Sequence, residues 1–358
     1  MFIKARLGFF LLISMQHLAV AAAQDAAPQT ASPAGAPAQA GAINLEVVVT
    51  AKSGPPVNGL QQQDFTIEDN KAPQAITSFR AMRGREAPVE VVIVIDDVNT
   101  GFEHIAYERS EIDKFLKMDG GQLAHPVALA FLTDDGMKMQ GDFSSDGNAL
   151  SVALDKTDVG LHTIRRSGGV YSAAERFQIS LKSLFELGTR EAARPGRKMI
   201  VWISPGWPLF SGPGAEQQMD TKQRQQIFNN VVSISTLLRQ GLITLYSIDP
   251  LGAADFGGRA FRWESFVKGI SKLSQADWGD LALQVIATQS GGVARTTSND
   301  IAASLKECVD DAVAYYEISF APSLDQKPEE YHHLEVRLAD KKLTARTSQG
   351  YYTPAASH

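Results

Sequence analysis

The sequence predicts an α/β protein: a doubly wound, mostly parallel sheet, with a small β-sandwich formed from the N- and C-terminal segments. Three observations predict it. The nearly continuous aliphatic runs Val89–Ile95 and Met199–Ile203 have the composition of central strands covered on both faces. Helical periodicities alternate with such runs, the order of a sheet built through crossover helices. Before residue 88 and after residue 313 the pattern changes to short alternating strands, too small on either side to enclose a core alone.

The 358 residues are 44% apolar and 21% charged, values that exclude a wholly disordered or fibrous chain. Residues 1–23 have the three parts of an export signal: Lys4 and Arg6, the apolar stretch 8–15, and Ala21-Ala22-Ala23 as a cleavage site before Gln24. Gln16 and His17 interrupt the apolar run short of the ~18–20 residues a spanning helix needs, which favours cleavage over anchoring. No later segment has the length and apolarity of a transmembrane helix. No Cys follows the leader, against a lipoprotein anchor. Residues 24–42, almost entirely Ala, Gln, Pro, Gly, Ser and Thr, read as a disordered tether. Without Lys4 and Arg6, 32 basic side chains face 40 acidic ones, a net charge of −8 that argues against a nucleic-acid partner. The single cysteine, Cys308, excludes an internal disulfide and a Cys-based zinc site, and reads as a core residue.

Ile43, Leu45, Val47 and Val49 alternate with Asn44, Glu46, Val48 and Thr50, the period of a half-buried strand. Residues 52–56 form a loop, and 64–68 and 74–79 are two short strands around a turn at Asp69-Asn70-Lys71. The run from Val89 ends in Asp96-Asp97, and a helix follows with Ile105, Ile112, Phe115 and Leu116 on one face. Strands at 127–132 and 137–143 flank Asp134-Asp135-Gly136 as a hairpin, with Ser144 or Ser145 capping the next helix. Residues 172–187 form an amphipathic helix stopped by Gly188. A strand at 198–203 runs into Ser204-Pro205-Gly206, and a helix from about Gln217 to Gln240 stops at Gly241. The strand 242–248 ends at Asp249-Pro250, and a glycine- and aromatic-rich segment, 251–276, leads to a helix ending at Gln289. Residues 291–295 are an edge strand, and Asn299 or Asp300 caps a last helix carrying Leu305 and Cys308. Strands at 316–320, 333–338 and 343–347 close the chain. The expected organisation is signal peptide 1–23, tether 24–42, N-terminal β segment 43–87, α/β domain 88–313 and C-terminal β segment 314–358.

Four local patterns carry a family resemblance. They are Asp64-Phe65-Thr66-Ile67-Glu68-Asp69-Asn70-Lys71 with Ile76 and Phe79; Val94-Ile95-Asp96-Asp97-Val98-Asn99-Thr100; Gln289-Ser290-Gly291-Gly292 followed by Asn299-Asp300; and Tyr315-Tyr316-Glu317-Ile318-Ser319-Phe320-Ala321-Pro322 with a closing Gly350-Tyr351-Tyr352. In this order, over residues 43–353, they resemble the VWFA-related domain family of exported, acidobacterial-type bacterial proteins. The α/β portion resembles a von Willebrand factor A domain. The resemblance implies a Rossmann-like domain that mediates binding, with no established catalysis.

In such a domain the ligand site lies at the carboxyl end of the sheet. Von Willebrand A domains commonly hold a divalent cation there, on a D-x-S-x-S loop completed by a Thr and an Asp from later loops. Asp96 matches the first ligand and Thr100 the second Ser, but Val98 stands at the first Ser and Pro205 at the later Asp. Only Ser172 offers itself for the Thr expected near 168–172. A hard cation needs oxygen ligands, and Val98 has none in its side chain. The resemblance therefore implies a degenerate metal site at Asp96 and Thr100 and no cofactor, with Mg²⁺ or another divalent cation as the alternative. Asp96, Asn99 and Thr100 would then cap the following helix or bind a partner directly.

Trp207 and Phe210, with Phe256, Phe261, Trp263 and Phe266, fall after the strands at 198–203 and 242–248, at the same edge. They read either as a protein-binding surface or as a local core beneath a long loop. The histidines have no metal-ligand spacing, and no nucleophile elbow, phosphate loop or dinucleotide fingerprint occurs. Arg165-Arg166 and the basic group at 194–198 read as solvated loop charges. The sequence thus predicts a periplasmic or extracellular, non-enzymatic interaction module. Its partner, a protein or cell-envelope component, would meet Asp96, Asn99, Thr100, Trp207 and Phe210. A metal-assisted hydrolase using the Asp96 loop and a structural envelope component are the alternatives.

Overall fold

Strands from both ends of the chain pair with one another, and the helices lie between them in sequence. The computed structural model describes residues 41–52, 54–84, 88–157, 164, 169–208, 219–252, 263–323 and 327–354. All fall within one unit, residues 40–358. The expected export signal and nearly all of the tether lie outside the described residues.

The N-terminal strands are β1 (Ile43–Thr50), β2 (Phe65–Asp69), β3 (Ala72–Gln74) and β4 (Ile76–Arg83). The turn between β2 and β3 places Asn70 and Lys71 in the left-handed region, at φ 49° and 71°. The α/β part follows: β5 (Val89–Asp96), α1 (Phe102–Leu116), β6 (Gln122–Thr133), β7 (Gly136–Asp146), α2 (Gly147–Lys156) and α3 (Gly169–Ala192). It continues through β8 (Arg197–Ile203), α4 (Thr221–Gln240), β9 (Ile243–Ile248), α5 (Leu283–Gln289), β10 (Ala294–Arg295) and α6 (Ile301–Asp310). The last strands are β11 (Ala314–Phe320), β12 (Tyr331–Leu338), β13 (Thr344–Arg346) and β14 (Gly350–Tyr352).

The central sheet has the order β10-β9-β8-β5-β6-β7, parallel throughout except for the β6–β7 hairpin. Alternate residues of β5 face opposite cores. Val91, Ile93 and Ile95 pack with residues of α1, α2 and α6, whereas Val92 and Val94 pack with α3, α4 and α5. Burial on both faces is what the aliphatic runs require. Two antiparallel sheets, β13-β1-β11-β4 and β14-β12-β2-β3, each mix strands from the two ends of the chain. Leu45, Val47 and Ile318 of the first and Ile67, Leu334 and Tyr351 of the second share one apolar cluster.

Three expectations are corrected. Gly188 does not stop α3, which runs on to Ala192. A Cβ at Gly188 would come within 2.9 Å of Leu237 Cδ2, so this glycine lets α3 and α4 approach. Neither Ser144 nor Ser145 caps α2; Asp146 does, its Oδ1 accepting from Ala149 N at 3.0 Å. The basic group at 194–198 is not all solvated. Arg197 and Lys198 are buried at the amino edge of the central sheet.

There Arg197 Nε donates to Glu46 Oε2 at 3.1 Å and its Nη1 to Asp311 O at 3.0 Å, while the guanidinium lies 4.5 Å from the Tyr315 ring. Asp311 Oδ2 accepts from Tyr246 Oη at 2.8 Å and from Arg346 Nη2 at 2.6 Å. This buried network ties β1 and β13 to β8 and β9.

Candidate functional site

The carboxyl edge of the central sheet is where β5 ends in the Asp96 loop. Asp96 is fully buried. Its Oδ1 accepts from Asn99 N at 2.9 Å and from Asn99 Nδ2 at 3.1 Å. Its Oδ2 accepts from Asn99 Nδ2 at 2.9 Å and from Trp202 Nε1 at 3.1 Å. The Ser204 hydroxyl bonds to the same carboxyl group. Burial pushes the Asp96 carboxyl upward from its ordinary range, and the bonds from Asn99, Ser204 and Trp202 pull against it. Every one of these donors is uncharged.

The Asn99 amide also reaches Ser180 Oγ of α3 at 2.9 Å, and Ser180 Oγ donates to Arg176 O at 2.9 Å. One carboxylate thus joins β5, β8 and α3. Thr100 is buried beside it, its N donating to Asp96 O at 3.1 Å. Thr100 Oγ1 and Asn99 Oδ1 are buried with no hydrogen-bond partner among the described residues. Val98 packs in the apolar cluster that holds Trp202 and Trp207.

The structure brings Asp96, Asn99 and Thr100 together but does not use them as a helix cap. The N-cap of α1 is Gly101, which has no side-chain cap bond. The physical reason is local: Asp96 Oδ1 closes its own turn on the amide three residues on. Trp207 is only 5% exposed, edge-on to Trp202 with centroids 5.5 Å apart and to Phe177 at 6.5 Å. Trp278 meets the other side of this group, 5.5 Å from Phe177. Trp263 and Phe266 are half-buried, and Ser172 lies near the start of α3. Phe210, Phe256 and Phe261 lie outside the described residues.

Sequence reasoning missed Trp202, Ser180 and Ser204 as partners of Asp96. A signal for Trp202 existed. A tryptophan inside a buried strand carries an N–H that needs an acceptor, and Asp96 ends the neighbouring strand. It also missed the apolar side chains that stand exposed at this edge. Phe102, at the first turn of α1, is 74% exposed; Val170 and Tyr171, in the first turn of α3, are 70% and 90% exposed. Helix α3 reaches Asn99 through Ser180, so its first turn, with Tyr171 nine residues earlier, projects roughly 13 Å beyond that contact at 1.5 Å per residue.

Among the described residues, no group of three or more His, Cys, Asp or Glu side chains could hold a metal ion, and no helix is long and apolar enough to cross a membrane.

No family model matches the chain, and no curated protein matches it. Several solved structures are similar. Proximal thread matrix protein 1 from the mussel byssus is 12% identical over 63% of this chain and 48% of its own, with a TM-score of 0.36. The conserved hypothetical protein BatB from Bacteroides thetaiotaomicron is 15% identical over 63% of this chain and 98% of its own, at 0.31. The VWA domain of SpRpn10 is 14% identical over 46% of this chain and 75% of its own, at 0.23. The chain spans about half the length of the mussel protein. With every score below 0.5, these likenesses carry nothing about activity, and the fold rests on the chain's own strand order: a mixed α/β protein around a six-stranded, mostly parallel sheet.

Proposed function

We propose that this chain is an exported, non-enzymatic interaction module of von Willebrand A-like design, which binds a protein or cell-envelope partner at the carboxyl edge of its central sheet. The observation that carries this reading is the exposure of Phe102, Val170 and Tyr171 in the first turns of α1 and α3, helices that begin on the side of the sheet where β5 runs into the Asp96 loop. Large apolar side chains left in water at one edge of the sheet suit a contact surface. Asp96, Asn99, Thr100 and Trp207 shape this edge from inside, and Phe210 is retained as a contact. The two terminal sheets act as a β-sandwich, with segments 43–87 and 314–358 flanking the domain 88–313; their shared apolar cluster supports this.

In this reading the cation site is degenerate. Both Asp96 oxygens already receive N–H groups, Val98 offers no oxygen, and Pro205 stands where a further acid would be needed. Chemistry routed through a metal is not assigned to these residues. A pull-down from the native cell envelope, with the intact chain against a Phe102→Ser/Tyr171→Ser variant, tests the reading. A partner held by the first and lost by the second is expected. The same proteins recovered with both would overturn it. Export is tested separately: the mature protein should begin at or near Gln24, and N-terminal sequencing that still finds Met1 would refute it.

A further inference from the structure

At the opposite, amino edge, α4 packs against β1, the start of β9 and the 3-10 turn Trp278–Leu281, and a cavity remains between them. It has room for about three waters or one solute of that size. Ile234 and Leu281 give it an apolar wall, and three ionisable side chains line it: Glu46, Asp280 and Arg239.

Two of the three leave a buried atom unpaired. The Glu46 side chain is nine-tenths buried; its Oε2 serves Arg197 and Thr244, but Oε1 is buried with no partner. Asp280 is buried, its Oδ2 accepting from Asp277 N at 2.8 Å, and it makes no ion pair among the described residues. Arg239 lies 5.8 Å over the Tyr351 ring, and its Nε is buried without an acceptor. One cavity is therefore lined by an acid with an unpaired oxygen, Glu46 Oε1, and a base with an unpaired N–H, Arg239 Nε, which do not bond to each other. Leaving such groups unmatched is costly, more so when they are charged.

We propose that this cavity binds a small α-amino acid, its ammonium group on Glu46 and Asp280 and its carboxylate on Arg239. A zwitterion of this kind supplies both missing partners at once, and room for about three waters suits a side chain as small as that of glycine or alanine. The carboxylate can take Arg239 by a charge-assisted bond, and the ammonium three donors to the two acids. The site is separate from the carboxyl edge and independent of the partner reading above.

The test titrates L-alanine into the full mature chain by calorimetry, with ethylamine and propionate as probes carrying only one of the two charges. Saturable binding at one per chain is expected, with both single-charge probes at least about tenfold weaker. Glu46→Gln and Arg239→Met should each weaken L-alanine at least about tenfold. Ser235→Leu, which fills the half-buried side of the cavity and leaves all three charged groups in place, should abolish it. No saturable binding of glycine or L-alanine at millimolar concentration would overturn the proposal. So would ethylamine binding as tightly as L-alanine, or affinity unchanged in Ser235→Leu.

Discussion

The two edges of the central sheet both bury carboxylates, and they satisfy them in opposite ways. At the amino edge, Glu46 and Asp311 meet the guanidinium groups of Arg197 and Arg346. At the carboxyl edge, Asp96 meets only the uncharged groups of Asn99, Trp202 and Ser204. A buried ion pair cannot lose one member without stranding a charge, so it couples the elements that carry it. A carboxylate among neutral donors organises a loop without committing the rest of the fold. The amino edge therefore fastens the terminal sheets to the α/β part. The carboxyl edge holds a hydrogen-bonded loop, with exposed apolar side chains in the first turns of α1 and α3. On the proposed function, recognition falls at the carboxyl edge and the fastening of the terminal sheets at the amino edge, separated along the strand direction.

The largest expected effect breaks the amino edge. Arg197→Met keeps much of the apolar stem but leaves Glu46 and the Asp311 carbonyl without their donor. It should cost about 3–5 kcal/mol in chemical denaturation. A loss below about 1 kcal/mol would mean that apolar packing alone holds the terminal sheets.

The same edge should respond to pH. Burial pushes the Glu46 carboxyl up to about 7, against the pull of Arg197 and with the push of Glu317, its neighbour on β11. Burial likewise pushes Asp280 up to about 7, with Asp277 adding to the rise. Both groups hold a proton in the folded chain at pH values where the unfolded chain has released it. Stability from these two groups is thus present at low pH and lost as pH rises towards 7. The loss is on the order of 3 kcal/mol for Glu46 and on the order of 4 kcal/mol for Asp280. Asp280→Asn should flatten its share, so the stability difference between variant and parent should grow from pH 5 to pH 8. A parallel pair of pH curves would refute the assignment.

At the carboxyl edge, Asp96→Ala strands the buried Trp202 indole, the Asn99 amide and the Ser204 hydroxyl. A loss of about 2 kcal/mol is expected, smaller than at Arg197 because no charge is left behind. Mg²⁺ and a chelator should leave the melting temperature of the parent unchanged. Saturable stabilisation by Mg²⁺ that vanishes in Asp96→Ala would show a working cation site and overturn the degenerate reading.

What the sequence made legible follows the range of the interactions. The aliphatic runs revealed the central strands because burial on two faces writes itself into consecutive residues. The β6–β7 hairpin was legible from Asp134-Asp135-Gly136, and the edge position of β10 from its brevity. Gly188 was misread because a glycine that ends a helix and one that admits a neighbouring helix look the same in sequence. The deciding atom belongs to Leu237 of another helix. Arg197 was misread because Pro195-Gly196 beside it resembles a loop, and its partners Glu46 and Asp311 lie 151 and 114 residues away. The grouping of Asp96, Asn99 and Thr100 was legible because all three fall within one five-residue loop. Trp202 and Ser180 were not, since only the folded register brings them to Asp96.

The smallest effect on stability should come with the largest effect on binding. Phe102 and Tyr171 are mostly exposed, so Phe102→Ser or Tyr171→Ser removes little packing and should move the unfolding free energy by no more than about 0.5 kcal/mol. If the pair anchors a partner, each should weaken that partner by about 2 kcal/mol, close to thirtyfold. Trp207→Ala is the opposite case. Trp207 packs on Trp202 and Phe177 in the interior and should cost about 3–5 kcal/mol of stability. The comparison of edges requires both halves of this contrast. A Tyr171→Ser variant that unfolds as easily as Trp207→Ala would mean that the chain covers Tyr171 itself, and the carboxyl edge would lose its claim as the contact surface.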